Sequence, residues 1–211
     1  MKKDYTHITM IIDRSGSMSF GWNDVLGGYK AIVEEQKKQP GKCTFTTAVF
    51  DTQHDILEDF KDIQEVSEIL NASPRGGTAL LDAIGFTVKS VGEKLAALPE
   101  DERPEKVIVQ VQSDGNENAS REYTKEQIKE LIEEQENKYN WQFLFIGASL
   151  ESVNEAQSLG IKSANTAVYS TSNYNGTLDT LNMKFSTMRS CSVDAFASAA
   201  AYSDEEKSAM K

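Results

Sequence analysis

Three oxygen-bearing side chains crowd into five positions near the start of this chain: Asp13, Ser15 and Ser17, with Gly16 between the serines. Residues at alternate positions can aim hard oxygen donors at one point, and the glycine lets the backbone turn tightly around it. That is the chemistry of a cation site, or of half of one. Asp and Ser are also favoured helix caps, so the same residues could simply start the next helix. Two later stretches weigh on the choice. Gly76, Gly77 and Thr78 introduce a long helical pattern containing Asp82, and Ser113, Asp114 and Gly115 close an apolar run.

The elements that must position these residues follow from hydrophobic patterning. Residues 8–12 and 107–111 are near-continuous apolar runs, the mark of strands buried on both faces. Helical spacing predicts helices over 24–39, 79–98, 125–138, 151–159 and 178–189, the third opened by a capping box of Thr124 and Gln127. Gly27 and Gly28 weaken the first helix, unless they permit close packing on the sheet. Strands are expected at 43–50, 106–112, 141–147 and 164–169, with 55–60 folding back on 43–50 as an antiparallel edge. Strands alternating with helices imply an α/β, Rossmann-like, doubly wound and mostly parallel sheet of order 3-2-1-4-5-6, with helices on both faces. One domain is expected over residues 1–190, and the Ser- and Ala-rich tail 191–211 is expected to be partly ordered at best. In that strand order Asp13 and Asp114 end neighbouring strands, at the switch point where such sheets bind ligands.

With these three motifs in this order, the chain resembles a von Willebrand factor A domain from about residue 6 into the 160s. That family carries a metal-ion-dependent adhesion site built from Asp-x-Ser-x-Ser, a distant Thr and a distant Asp-Gly. The resemblance implies that Ser15 and Ser17 coordinate a cation directly and that Thr78 does so directly or through water. It implies that Asp13 and Asp114 act through bound water and hydrogen bonds to the serines. All donors are hard oxygens, which suits Mg²⁺ or Mn²⁺ and is poor for zinc. Two carboxylates held back from the ion leave it electrophilic, so the family mode predicts completion by an Asp or Glu of a partner protein. Phe20, Trp22, Arg75 and Asn116 are close enough in sequence to select that partner, or to serve the structure. The resemblance extends to stand-alone bacterial or phage proteins of this type. The expected function is therefore a divalent-metal-dependent protein-binding module for adhesion or scaffolding. The alternatives are a Mg²⁺-dependent phosphohydrolase and a module whose ion only stabilises its loops.

The remaining features narrow the class. Among the 211 residues, 33 acidic against 22 basic side chains give a net charge of -11, which repels a nucleic-acid backbone. Cys43 and Cys191 stand far apart, with neither disulfide-framework nor zinc spacing. Asp4, His7 and Asp13 break up any signal sequence, and no run has the ~18 apolar residues of a membrane span, so a cytoplasmic location is expected. Asp13 at a strand end also resembles the nucleophile of haloacid-dehalogenase-type phosphatases, but the general acid they place two residues on is here Ser15. His7 and His54 lie by none of the motifs, so no Ser-His-Asp triad forms around Ser15 and no enzymatic activity is expected.

Overall fold

A computed structural model describes residues 1–211, the side chain of Thr171 excepted. Six strands form one sheet: β1 (Lys2–Asp13), β2 (Lys42–Phe50), β3 (His54–Asp62), β4 (Pro104–Ser113), β5 (Gln142–Gly147) and β6 (Thr166–Val168). Their order is β3-β2-β1-β4-β5-β6, with every neighbouring pair parallel except β2 and β3. The predicted order and the antiparallel edge are both present. Seven α-helices connect and cover the sheet: α1 (Trp22–Lys38), α2 (Leu80–Ala97), α3 (Lys125–Tyr139), α4 (Leu150–Ser158), α5 (Tyr174–Ser190), α6 (Phe196–Ala200) and α7 (Asp204–Ala209).

Alternation of side chains along the strands builds two cores from the same apolar runs. Ile8, Met10, Ile12, Ile108, Leu144 and Ile146 face α1, α5 and α6. Ile11, Val107, Val109, Val111, Phe143 and Phe145 face α2, α3 and α4. Neither of the paired glycines of α1 is explained by close packing on the sheet. A Cβ on Gly27 would meet nothing, whereas one on Gly28 would stand 2.4 Å from Leu178 Cδ2 and 3.0 Å from Tyr174 Cε1. Gly28 is thus where α1 and α5 approach, and Gly27 faces open space. The capping box of Thr124 and Gln127 forms as predicted.

The segment after Ser190 departs from expectation. It carries α6 and α7, and Phe196, Ala200, Tyr202 and Met210 are buried in the first core. Helix α5 also starts a turn earlier than its leucines suggest, because Tyr174 anchors its first turn among buried groups.

His7 on β1 is fully buried, stacked 4.4 Å from the Phe60 ring and bonded through Nδ1 to Thr44 Oγ1 at 2.9 Å. Its Nε2 has no partner among the described residues. Burial, with the Lys94 charge adding to it, lowers the imidazole pKa to about 3. The native state therefore keeps His7 neutral, while the unfolded chain takes up a proton below its ordinary value near 6.5. This stability is fully present above pH 6.5 and is lost as pH falls from there toward 3. Urea unfolding should show a loss from His7 of about 2 kcal/mol between pH 7 and pH 5. His7→Phe, which keeps a ring against Phe60, should lower the proton uptake on unfolding at pH 5 by about one. An unchanged uptake would contradict the buried neutral state.

Candidate metal centre

Strand β1 runs down the middle of the sheet and ends at Asp13, whose carboxylate has no exposed surface. Its Oδ1 accepts the Ser15 backbone N–H at 2.6 Å, which folds the chain back over the strand end, and its Oδ2 accepts the Ser113 hydroxyl from neighbouring β4. Ser113 was legible only as a neighbour of Asp114, yet it is the group that ties the two strand ends together. Beyond it, the Ser15 and Ser17 hydroxyl oxygens lie 3.0 Å apart, and Ser17 donates to Asp114 Oδ1 at 2.7 Å.

Thr78 arrives on a separate strap at the start of α2 and is buried. A Cβ built on Gly115 would lie 3.0 Å from Thr78 Oγ1 and 3.7 Å from Ser17 Oγ. The bare glycine lets these two hydroxyls face a common space beside Asp114. The Gly16 N–H donates to the Gly76 carbonyl at 3.1 Å and the Arg75 N–H to the Arg14 carbonyl at 2.8 Å, so the first loop and the strap are stitched by backbone. On its other side the strap is fixed to the loop after β4. The Thr78 N–H donates to Asn118 Oδ1, and the Thr78 carbonyl accepts the Asn118 and Ala119 N–H groups. Glu117 accepts the Leu81 N–H, while Asp82 accepts those of Arg121, Glu122 and Tyr123. This reciprocal bracing was hidden in what reads from sequence as a polar loop.

All five predicted residues are therefore at one end of the sheet: short hydrogen bonds join Asp13, Ser15, Ser17 and Asp114, and Thr78 faces them across Gly115. No three His, Cys, Asp or Glu side chains gather into a metal-holding group among the described residues. The candidate donors are instead hydroxyls backed by two carboxylates, a set that would suit a hard octahedral ion. Adjacent ligands of an octahedral ion with 2.0–2.1 Å bonds stand about 2.9 Å apart, close to the Ser15–Ser17 spacing of 3.0 Å. Electrostatics agrees with the geometry. Burial pushes Asp13 up to about 6, against the Ser113 and Ser15 hydrogen bonds, and the Asp114 charge adds to the rise. Burial likewise raises Asp114, opposed by the Ser17 hydroxyl. Burial is the leading cause of both shifts, and a cation beside the two carboxyls would favour their ionised forms.

The four side chains singled out around the motifs divide. Phe20 is fully exposed and lines a cavity of about 90 Å³ with Met18, Val25, Tyr169 and Tyr174, at whose rim stand Ser17 and Asp114. Asn116 is exposed. Trp22 is buried and donates Nε1–H to the Ala72 carbonyl, and Arg75 is bound to Asp51. A wider groove of about 630 Å³ between Thr52, His54, Asp82, Phe86 and Arg121 includes none of the five. His7 bonds Thr44 and His54 stacks on Phe86, so neither is hydrogen-bonded to the serines.

No protein-family model and no curated protein matches the sequence. Solved structures do match, and they define the architecture: the chain folds as a von Willebrand factor A-type domain. Among them are proximal thread matrix protein 1 from the mussel byssus, with a zinc-occupied MIDAS motif, at 18% identity and a TM-score of 0.58 over 86% of this chain and 46% of that one. A von Willebrand factor type A protein from Catenulispora acidiphila matches at 13% identity and 0.61, over 87% of this chain and 43% of that one. Manganese-loaded TRAP protein of Plasmodium vivax matches at 12% identity and 0.59, over 85% of this chain and 72% of that one. The chain spans less than half the length of the first two.

Proposed function

We propose that this chain is a divalent-cation-dependent protein-binding module whose ion, Mg²⁺ or Mn²⁺, is completed by an Asp or Glu of a partner protein. Ser15, Ser17 and Thr78 would hold the ion, and Asp13 and Asp114 would orient the hydroxyls and bound water. The observation that carries this reading is the pair of serine oxygens 3.0 Å apart, one of them bonded to Asp114. When bound, the ion supplies a Lewis-acidic position for an incoming carboxylate oxygen. The chain's own part is to keep its carboxylates off that position. Asp13 is occupied by the Ser15 N–H and the Ser113 hydroxyl, and Asp114 by the Ser17 hydroxyl. Each charge is thus spent on orientation, leaving the ion's demand for an anion to the partner. The zinc and manganese named in two solved relatives support a divalent ion here.

A binding rather than catalytic role is supported by the serines' surroundings, since their hydroxyls bond each other and Asp114 rather than a histidine. Among the described residues no helix is long and apolar enough to cross a membrane, and a cytoplasmic protein partner is part of this reading. Immobilised chain should capture its partner in Mg²⁺ and release it in EDTA, and Ser15→Ala with Ser17→Ala should capture nothing. Capture indifferent to both treatments would overturn the reading.

A further inference from the structure

Asp51, the first residue after β2, is 1% exposed although it is charged. Its Oδ2 accepts Nε–H of Arg14 at 2.8 Å and Nε–H of Arg75 at 2.7 Å. Its Oδ1 accepts the Gln53 N–H at 2.9 Å, and its carbonyl accepts the Ala79 N–H at 2.8 Å. The partners are placed tellingly. Arg14 stands between Asp13 and Ser15, Arg75 begins the strap that carries Thr78, and Ala79 follows Thr78 directly. One buried carboxylate oxygen thus joins the loop bearing the serine hydroxyls to the strap bearing the threonine hydroxyl. None of its bonds goes to the five candidate donors themselves.

We propose that Asp51 is a positioning residue of the metal centre, a clamp that works with the backbone bonds between loop and strap to hold the Ser15–Ser17 loop against Thr78 by pairing Arg14 with Arg75. The inference rests on the metal-dependent reading above. The alternative duty of such a buried ionic cluster is plain stability, which pairs of this kind often fail to supply once desolvation is counted. Here geometry favours positioning: Arg14 is held at two points, through Nε on Asp51 and Nη2 on half-exposed Asp55, and Arg75 is held through Nε on the same Asp51 oxygen, with its Nη2 3.9 Å from Asp55. Directional N–H bonds from planar guanidinium groups restrict orientation more than a point charge would.

The test is Mn²⁺ affinity by calorimetry on the full chain, for wild type, Asp51→Asn and Arg75→Gln, with melting in EDTA as the reference. Arg75 is half exposed, so its variant folds even if Asp51→Asn does not. A merely stabilising cluster would leave affinity untouched as long as the protein stays folded, because apparent affinity scales only with the folded fraction. The clamp predicts a loss of roughly 10- to 100-fold for Asp51→Asn, the range seen when groups behind metal ligands are removed, and a smaller loss for Arg75→Gln. Arg75→Lys, which keeps the charge, should recover part of it. Wild-type affinity in Arg75→Gln would overturn the clamp while leaving the metal centre standing. No Mn²⁺ binding by wild type would overturn both.

Discussion

Mg²⁺ or Mn²⁺ at about 100 times its Kd should raise the melting temperature of this chain by roughly 5–11 °C, and should leave Ser15→Ala with Ser17→Ala where EDTA leaves it. A ligand that binds only the folded state at that excess adds about 2.7 kcal/mol, and each kcal/mol moves the midpoint by about 2–4 °C in a domain of this size. The folded chain holds the donors together at a standing cost that a bound cation would offset. Asp13 is wholly buried and Asp114 half-buried, and burial opposes the charge of both. The unfolded chain has no reason to bring Ser15, Thr78 and Asp114 together. In EDTA the double variant should melt close to wild type, since Ser17 is exposed and the serines' main service there is to each other and to Asp114. Differential scanning fluorimetry across a metal titration decides it. Equal metal-dependent shifts in both proteins would place any bound ion elsewhere.

Deleting residues 191–211 should abolish the folded state. The segment seals the sheet face that carries Ile108 and Leu144, with Phe196, Ala200 and Met210 without exposed surface and Tyr202 nearly so. Its loss would strand polar groups as well. Lys106 Nζ would lose the Cys191 carbonyl and keep only that of Arg189, Lys184 Nζ would lose that of Ala201 at 2.6 Å, and the Ser170 N–H that of Met210 at 2.7 Å. Buried amines without these acceptors carry a desolvation cost. Phe196→Ala alone should cost about 3–5 kcal/mol, a large share of the stability of an ordinary domain. Urea titration followed by near-ultraviolet circular dichroism checks both. A truncated chain unfolding cooperatively at the full-length midpoint would show that the segment merely decorates the surface.

The contrast between that segment and the strands explains what could be read from the residues alone. Runs such as 8–12 and 107–111 must be buried on both faces, so they announced a parallel sheet and, with it, the adjacency of Asp13 and Asp114. The capping box at Thr124 was legible because both its hydrogen bonds are local. Phe196, Tyr202 and Met210, by contrast, are single apolar residues at irregular intervals in a small-residue stretch, and no periodicity marks them. Arg14, Asp51 and Arg75 were opaque for a related reason. Their pairing is spread across 37 positions between Arg14 and Asp51 and 24 between Asp51 and Arg75, and charged loop residues look alike until the chain is folded. Glu117 and Asp82 likewise exchange caps across the chain, which a local pattern cannot reveal.

The placement of β1 has a mechanical consequence. The strand is paired in parallel with β2 from Tyr5 to Asp13 and with β4 from Thr6 to Ile12, and its last residue belongs to the proposed metal centre. Tension applied there along the strand axis loads both ladders in shear, so rupture requires many evenly spaced bonds to fail together rather than one after another. The centre of the sheet is thus an anchor able to bear load, and if the proposed function holds, the weakest link under pull would be an ion's grip on a partner, not the domain behind it.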